Sequence, residues 1–157
     1  SAFKARGEGE GEGEGEGEGV GEGFLKSSLS NKLLIIFTMD FSFEKLAAYT
    51  RSMDLVEEVY QVMKTFPQEE RYSLCDQLRR AVVSVPSNIA EGLSRFSEKE
   101  KAHFLEISYG SLMETYCQLS IAARLHYITE TQMAKFKEEI QEIGKPLAGL
   151  RNKAANP

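Results

Sequence analysis

The sequence predicts an all-α fold, an up-down antiparallel four-helix bundle with a kink in its second helix. Apolar residues recur every three or four positions in four successive segments, which is the period of an amphipathic helix. Short connections join the segments, and no segment shows the alternation of a strand. Each helix is about 20–28 residues or roughly 30–40 Å long, and the short connections make successive helices antiparallel.

Composition divides the chain into three parts. Residues 7–23 alternate glycine with glutamate and hold nine of the thirteen glycines, a composition that cannot build a packed core. We therefore predict a disordered extension over residues 1–38, with Met39 as the natural start. We also predict a four-helix bundle over residues 39–152 and a frayed tail over residues 153–157.

Charge and cysteine content limit the classes of function and the cellular compartment that fit this sequence. The net charge is −5, of which residues 1–38 carry −3, so the bundle is nearly neutral, whereas a nucleic-acid-binding domain is expected to be basic. The apolar run at residues 33–37 is much shorter than the roughly 20 residues of a membrane span, so no membrane contact is expected. Cys75 and Cys117 are isolated among apolar residues without a secretion signal, which predicts reduced thiols in a cytoplasmic protein.

The first helix is predicted over residues 42–64. Phe66-Pro67 ends it, because proline suits the first turn of the next helix. Its apolar stripe contains Leu46, Tyr49, Met53, Val56, Tyr60 and Met63.

The second helix, over residues 67–94, carries two stripes. The apolar stripe contains Leu74, Leu78, Ala81, Val85, Ile89 and Phe96. The polar stripe contains Gln77, Arg80, Ser84, Ser87, Asn88 and Glu91. Pro86 lacks the N–H that would bond Val82 and is expected to kink the helix. The polar side chains nearest the proline, at positions 84, 87 and 88, are close enough to satisfy freed backbone groups.

The third helix begins at the capping box that Ser97 forms with Glu100 and runs to Leu125. It is apolar almost all round, with one set of residues on one side and another set elsewhere on its circumference. The first set is Leu105, Leu112 and Leu119 beside Tyr109 and Tyr116, and the second is Ile107, Met113, Cys117 and Ile121. Helices of one small bundle cover only part of such a surface, so we expect a homo-oligomer.

The fourth helix begins at a second capping box, which Thr129 forms with Gln132. Its stripe contains Met133, Phe136, Ile140, Ile143, Leu147 and Leu150. Pro146 is expected to bend or shorten it.

No catalytic, metal or cofactor site is predicted, and no small-molecule substrate is expected. The best metal motif is Glu100, His103 and Glu106 on the third helix. A ferritin-like di-iron site needs a second Glu-x-x-His motif, and His126 has Ala123 where the glutamate should be. A metal-dependent enzyme is therefore only a remote alternative.

Basic residues gather between positions 71 and 101, interleaved with acidic ones. A mixed, solvated face explains most of this pattern. The alternative is a basic rim that contacts a nucleic acid or another partner through Arg79, Arg95, Lys99 and Lys101.

The segments "FPQEERYSLCDQLRRAVVSVPSNIAEGLSR" and "FLEISYGSLMETYCQL" make the chain resemble a known family over residues 43–150. It resembles the four-helix-bundle proteins encoded by intervening sequences within bacterial 23S ribosomal RNA genes. The matching positions include Gln77-Leu78, Arg80-Ala81, Ser84, Pro86, Asn88 to Gly92, Gly110-Ser111 and Glu114.

The resemblance implies a pentamer without enzymatic activity. A relative of the family, the accessory variability determinant of diversity-generating retroelements, is a pentameric barrel that binds a reverse transcriptase and nucleic acid. The resemblance also implies a structural polar network between helices or subunits, formed by Gln77, Arg80, Ser84, Asn88, Glu91, Ser111 and Glu114. Gly110 would permit a close approach of helices.

The sequence thus favours a non-enzymatic homo-oligomeric scaffold or adaptor that binds a macromolecular partner. The alternative is an accessory protein that binds RNA, DNA or a reverse-transcriptase complex through the basic rim.

Overall fold

The structure, a computed structural model, describes residues 41–156, which form four α-helices and no strand. The helices are α1 (Ala47–Val62), α2 (Leu74–Leu93), α3 (Glu98–Arg124) and α4 (Glu130–Ala155). Short 3₁₀ segments at Ser42–Lys45, Met63–Thr65 and Gln68–Tyr72 precede or follow them. The predicted extension over residues 1–38 and the predicted start at Met39 both lie outside the described residues.

The helices pack as a four-helix bundle in which each contacts its neighbours in the chain, and α4 also contacts α1. The α2–α3 pair has the most extensive contact. Leucine, isoleucine and valine side chains from all four helices are fully buried at the centre, among them Leu55, Leu78, Leu112 and Ile143. The predicted all-α four-helix architecture is therefore confirmed.

Helix α1 begins five residues later than predicted, because Leu46 has an extended backbone (φ −85°, ψ 129°). Its core face is one position away from the predicted stripe and contains Ala48, Ser52, Leu55, Val59 and Val62. Met53 and Tyr60, which the prediction placed in the core, are exposed. The prediction followed the spacing of the large apolar side chains. In the structure the small Ala48 and Ser52 lie on the buried face instead.

Helix α2 also begins later than predicted, since the backbone at Ser73 (φ −118°, ψ −99°) separates it from the preceding 3₁₀ segment. The middle of its predicted core stripe, Leu78 to Ile89, is buried. Phe96 is fully exposed, so its assignment to the core is wrong: it lies beyond the end of α2, where helical period no longer fixes its direction. Pro86 is buried inside α2, and the kink stays a prediction.

Of the two predicted capping boxes, the one at Thr129 is complete, whereas at Ser97 only the bond to the serine side chain is present. Ser97 Oγ accepts from Glu100 N at 3.5 Å, and Thr129 forms a full capping box with Gln132. Pro146 lies inside α4, which continues to Ala155 and so includes residues assigned to the tail.

The turn between α3 and α4 depends on a left-handed residue. His126 has φ 60°, its N–H donates to Ala123 O at 3.0 Å, and Tyr127 N–H donates to Ala122 O at 2.9 Å. This pair of bonds is a Schellman motif with histidine where glycine is usual. It reverses the chain and so aligns α4 antiparallel to α3.

A candidate docking face on α2 and α3

The polar stripe of α2 lies along the outer side of the α2–α3 contact. Ser84 and Asn88 are half-buried, whereas Gln77, Arg80 and Glu91 are exposed. On α3, Ser111 is buried and Glu114 is exposed. The seven predicted network residues therefore range from the edge of the core to solvent.

Three of them form one connected cluster. Ser84 Oγ and Ser111 Oγ are 2.8 Å apart, and Asn88 Nδ2 donates to Ser84 O at 2.8 Å and to Ser84 Oγ at 2.9 Å. Ser111 Oγ donates to Ile107 O at 2.9 Å. The cluster links two turns of α2 to one turn of α3.

The other four predicted network residues do not join the cluster. Arg80 pairs with Asp76 on its own helix, and Glu91 pairs with Arg95. Glu114 accepts from Gln118 Nε2 at 3.0 Å. Gln77 makes no side-chain hydrogen bond within residues 41–156. These contacts run along each helix, so they leave outward-facing groups available to another molecule.

Ser87 and Asn88 do bond backbone groups near Pro86, but not the one predicted. Ser87 Oγ donates to Val83 O at 2.8 Å, and Asn88 reaches the carbonyl of Ser84. The carbonyl that Pro86 deprives of a donor belongs to Val82. Side-chain reach, not the position of the proline, decides which carbonyl is bonded.

Three buried polar residues of α3 were missed by the sequence reasoning, namely Ser108, Thr115 and Gln118. Ser108 Oγ donates across the helix contact to Val85 O at 2.8 Å. Gln118 is only 4% exposed, and its Oε1 has no hydrogen-bond partner within the described part of the chain. The sequence does show Ser108 and Gln118 between apolar neighbours, but the prediction used only the spacing of the apolar residues.

An exposed, mostly apolar row follows the outer side of α3. We call it the α3 outer stripe: Ile107, Gly110, Glu114, Cys117, Ile121 and Leu125. Their spacing of three or four residues places them on one face. Ile107, Ile121 and Leu125 are 38%, 43% and 48% exposed. The stripe runs beside the Ser84–Ser111 cluster, so apolar and polar groups share one surface.

A second apolar surface lies on the opposite side of α3. A groove of about 570 Å³ runs between α3 and α4, with Tyr109, Met113 and Tyr116 on one wall and Ile140 and Gly144 on the other. A Cβ at Gly144 would meet its nearest neighbour, Leu112 Cδ2, at 3.7 Å, an ordinary contact. Packing inside the chain therefore does not require glycine here.

Another groove, about 720 Å³, lies between α1 and α4 and is acidic. Lys135 Nζ bridges Glu58 at 2.6 Å and Glu139 at 3.3 Å. Burial, and then the charge of Glu58, raises the pKa of Glu139. This ion-pair network joins α1 to α4 and explains the acidic residues without a ligand.

The predicted basic rim does not form one patch. Arg95 pairs with Glu91 and lies over the ring of Phe104, 4.8 Å from its centroid. Lys101 pairs with Glu98, and Lys99 is exposed. Arg79 lies near the opposite end of α2. Much of the charge at the α2–α3 turn is therefore neutralised locally.

Residues 41–156 contain no group of three or more His, Cys, Asp or Glu side chains that could hold a metal ion. Within the predicted motif, Glu106 accepts from Arg151 at 3.0 Å. Cys75 is buried, which raises the pKa of its thiol, and Cys117 is exposed. None of the described helices is both long and apolar enough to cross a membrane.

Comparison with known proteins agrees with this architecture. The family model described as 23S rRNA-intervening sequence protein matches residues 44–149. The chain is similar to the crystal structure of a protein of unknown function from the S23 ribosomal protein family of Bacteroides thetaiotaomicron. The two share 23% sequence identity with a TM-score of 0.62, over 67% of this chain and 98% of the other. No curated protein matches the chain significantly.

Proposed function

The chain belongs to the 23S rRNA-intervening sequence protein family, and we propose that it acts as a non-enzymatic homo-oligomeric scaffold that binds a macromolecular partner. The observation that carries this proposal is the α3 outer stripe. Three large aliphatic side chains of one helix face are more than one-third exposed in the single chain. Contiguous apolar surface of this kind marks an interaction site.

The polar groups beside the stripe support the same conclusion. The buried Gln118 Oε1 has no partner within residues 41–156, and such a group costs about 1–3 kcal/mol. A second molecule that covers the stripe can supply a donor once the Gln118 side chain turns outward, because the oxygen is buried in the single chain. The Ser84–Ser111 cluster adds fixed polar groups that select one register of association.

The family resemblance implies a pentamer, and a pentamer requires more than one association surface on each copy. A closed ring of five has a heterologous interface, so each copy must present two different faces. The α3 outer stripe is one apolar surface, and the α3–α4 groove at Tyr109, Met113 and Tyr116 is the other. Both belong to α3, the helix whose sequence is apolar nearly all round.

The absence of an enzymatic role is supported by how the polar groups are used. The serines of the cluster bond to one another or to backbone carbonyls. Neither His103 nor His126 makes a side-chain hydrogen bond to a serine within the described residues, so the pair of groups that would activate a serine is not assembled in the single chain.

Nucleic-acid binding through one rim of Arg79, Arg95, Lys99 and Lys101 is the weaker proposal. Arg95 and Lys101 are already in ion pairs, and Arg79 lies at the other end of α2. Such a rim would need Lys99 repeated in several copies to gain affinity.

The test is the mass of the full chain in solution, measured by light scattering over a range of concentrations. We expect an oligomer for the native protein. Ile121→Lys should dissociate it, because a lysine ammonium would be buried in the interface. The matched control is Met53→Lys, an exposed apolar residue of α1, which should leave the mass unchanged. A native protein that is monomeric at high concentration contradicts the scaffold.

A further inference from the structure

A groove of about 500 Å³ opens between the end of α1 and the start of α2, and Arg79 is the one residue of the predicted rim that lines it. The side chains that matter in it are Tyr60, Lys64, Phe66, Arg71, Cys75 and Arg79. Phe66 and Cys75 are buried and form an apolar floor, and Tyr60 is partly exposed. Its volume is in the usual range for small-ligand sites, about 300–1,000 Å³.

The groove has a basic lining, with the carboxylate of Glu70 nearby. Three of its lining residues are cationic and none is acidic. None of Lys64, Arg71 and Arg79 forms an ion pair with a carboxylate in residues 41–156; Lys64 Nζ donates to Gln61 Oε1 at 2.7 Å instead. The neighbouring carboxylate, Glu70, accepts from Tyr127 Oη at 3.0 Å and Leu74 N at 3.3 Å.

The lack of an ion pair is not confined to the groove, since Lys99, Arg124, Lys137 and Lys153 have none in residues 41–156 either; what is particular here is that three such cations line one groove. Seven other cations do pair with described carboxylates, namely Arg51, Arg80, Arg95, Lys101, Lys135, Lys145 and Arg151. Cations that converge without ion-pair partners raise one another's energy, and a bound anion relieves this cost. An anionic ligand is therefore the occupant that fits the charge.

The aromatic ring of Tyr60 in the lining favours one kind of anion. Tyr72 is not part of the lining; it follows Arg71 in the chain and is largely exposed, with the Arg71 guanidinium 5.8 Å from its ring centroid. Aromatic faces beside arginines are what bases and phosphates of nucleotides bind.

We propose that this groove binds a nucleotide, with its phosphates on Lys64, Arg71 and Arg79 and its base against the ring of Tyr60. The ligand is either a free nucleotide or the phosphorylated end of an RNA strand, because both present the same chemistry. The proposal does not rest on the scaffold function, since the groove involves α1 and α2 and not the α3 outer stripe.

Calorimetric titration of the full chain tests it. The ligands are ADP, inorganic pyrophosphate, an acidic peptide, and a short single-stranded RNA with and without a 5′-phosphate. Lys64→Gln/Arg71→Gln/Arg79→Gln should weaken ADP binding by about 100-fold or more, since each charge-assisted hydrogen bond accounts for roughly tenfold. The matched control, Arg51→Gln/Lys135→Gln/Lys153→Gln, makes the same change in net charge on α1 and α4, away from both proposed association surfaces, and should bind as the native protein does.

A second variant tests recognition of the base. Tyr60→Ala should weaken ADP by about tenfold through lost stacking and leave pyrophosphate unaffected. If ADP is preferred the ligand is the free nucleotide, and if the 5′-phosphorylated RNA is preferred the ligand is a strand end. Circular dichroism melts show that each variant is folded.

Three results overturn the proposal. The first is no binding of either nucleotide or RNA at low salt. The second is equal loss in the groove variant and its control, which indicates general charge attraction. The third is equal affinity for ADP and pyrophosphate, or tighter binding of an acidic peptide, which excludes a nucleotide site. Oligomer mass is expected to stay unchanged in all these variants, so the scaffold is judged separately.

Discussion

The hydroxyl oxygens of Ser84 on α2 and Ser111 on α3 lie 2.8 Å apart, and Asn88 donates to Ser84 from the next turn of α2. Within the described residues this is the one hydrogen bond between side chains of α2 and α3. It lies where the core of the bundle meets the outer face, so it fixes the rotation of both helices and hence the direction of the α3 outer stripe.

A double-mutant cycle should measure this link. Ser84→Ala and Ser111→Ala each remove one partner, and we expect a coupling of about 0.5–1.5 kcal/mol in the free energy of unfolding. Denaturant titrations at one fixed protein concentration measure it, because association adds to apparent stability. Ser87→Ala is the control, since its exposed hydroxyl bonds only its own helix and should change stability by less than about 0.5 kcal/mol. Additive single mutants would show that the two hydroxyls do not interact.

Gly92 and Gly110 make a matched pair with opposite expected outcomes. A Cβ at Gly92 would lie 3.1 Å from Phe104 Cβ and 3.3 Å from Lys101 O, so Gly92→Ala should destabilise the chain by about 1–3 kcal/mol. A Cβ at Gly110 has no atom within 4 Å. Close approach inside the chain therefore occurs at Gly92, not at Gly110 as expected from sequence.

Gly110→Ala should stabilise the dissociated chain by about 0.5–1 kcal/mol, because alanine is the better helix former. Gly110 belongs to the α3 outer stripe, so the added methyl should weaken association. Denaturation in the Ile121→Lys background measures the first effect, and light scattering in the native background measures the second. Unchanged association would place Gly110 outside the interface.

The bundle could be predicted because most of it follows from the spacing of apolar residues and from the residues that begin and end helices. Capping residues fixed the starts of α3 and α4, and Phe66-Pro67 ended the first helical segment. The core face of α1 could not be predicted in the same way. Ala48 and Ser52 pack at the centre while Met53 and Tyr60 lie outside, and only the neighbouring helices decide this.

The candidate sites were predictable only in part. The polar stripe of α2 and the apolar circumference of α3 are both visible in the sequence. Which polar residues bond each other depends on helix rotation, so the Ser84–Ser111 pair could be named but the separate pairing of Arg80 and Glu91 could not. The Lys64, Arg71 and Arg79 groove requires three different elements to converge, and no local pattern indicates that.

His126 should be a site where one substitution stabilises the protein. Its φ of 60° costs a non-glycine residue about 1 kcal/mol or more, and the imidazole is exposed. His126→Gly should raise the free energy of unfolding by about 0.5–1 kcal/mol, since part of the gain is lost to the freer unfolded chain. His126→Ala, which keeps the strain, should be close to neutral. A destabilising glycine would mean that the imidazole makes a stabilising contact.

The bond from Tyr127 to Glu70 should make stability depend on pH. The hydrogen bond from Ser73, and then that from Tyr127, lowers the pKa of Glu70 below its ordinary value of 4.5. The folded state thus favours the carboxylate, so the contribution is present above 4.5 and is lost as pH falls through the lowered pKa. Tyr127→Phe should therefore lower the melting temperature near neutral pH and have less effect in acid. Tyr49→Phe is the control, and a Tyr127→Phe effect that does not vary with pH would separate this bond from Glu70 ionisation.

The two thiols should report whether the α3 outer stripe is covered. Cys75 is buried and burial raises the pKa of its thiol, so it should react slowly with a thiol reagent in every folded form. Cys117 is exposed in the single chain and belongs to the stripe. In the oligomer it should react at least roughly tenfold more slowly than in Ile121→Lys, because the interface must open first. Cys117→Ser identifies the signal of Cys75. If Cys117 reacts equally fast in the native protein and in Ile121→Lys, the stripe faces solvent in both, and association must use another surface of the bundle.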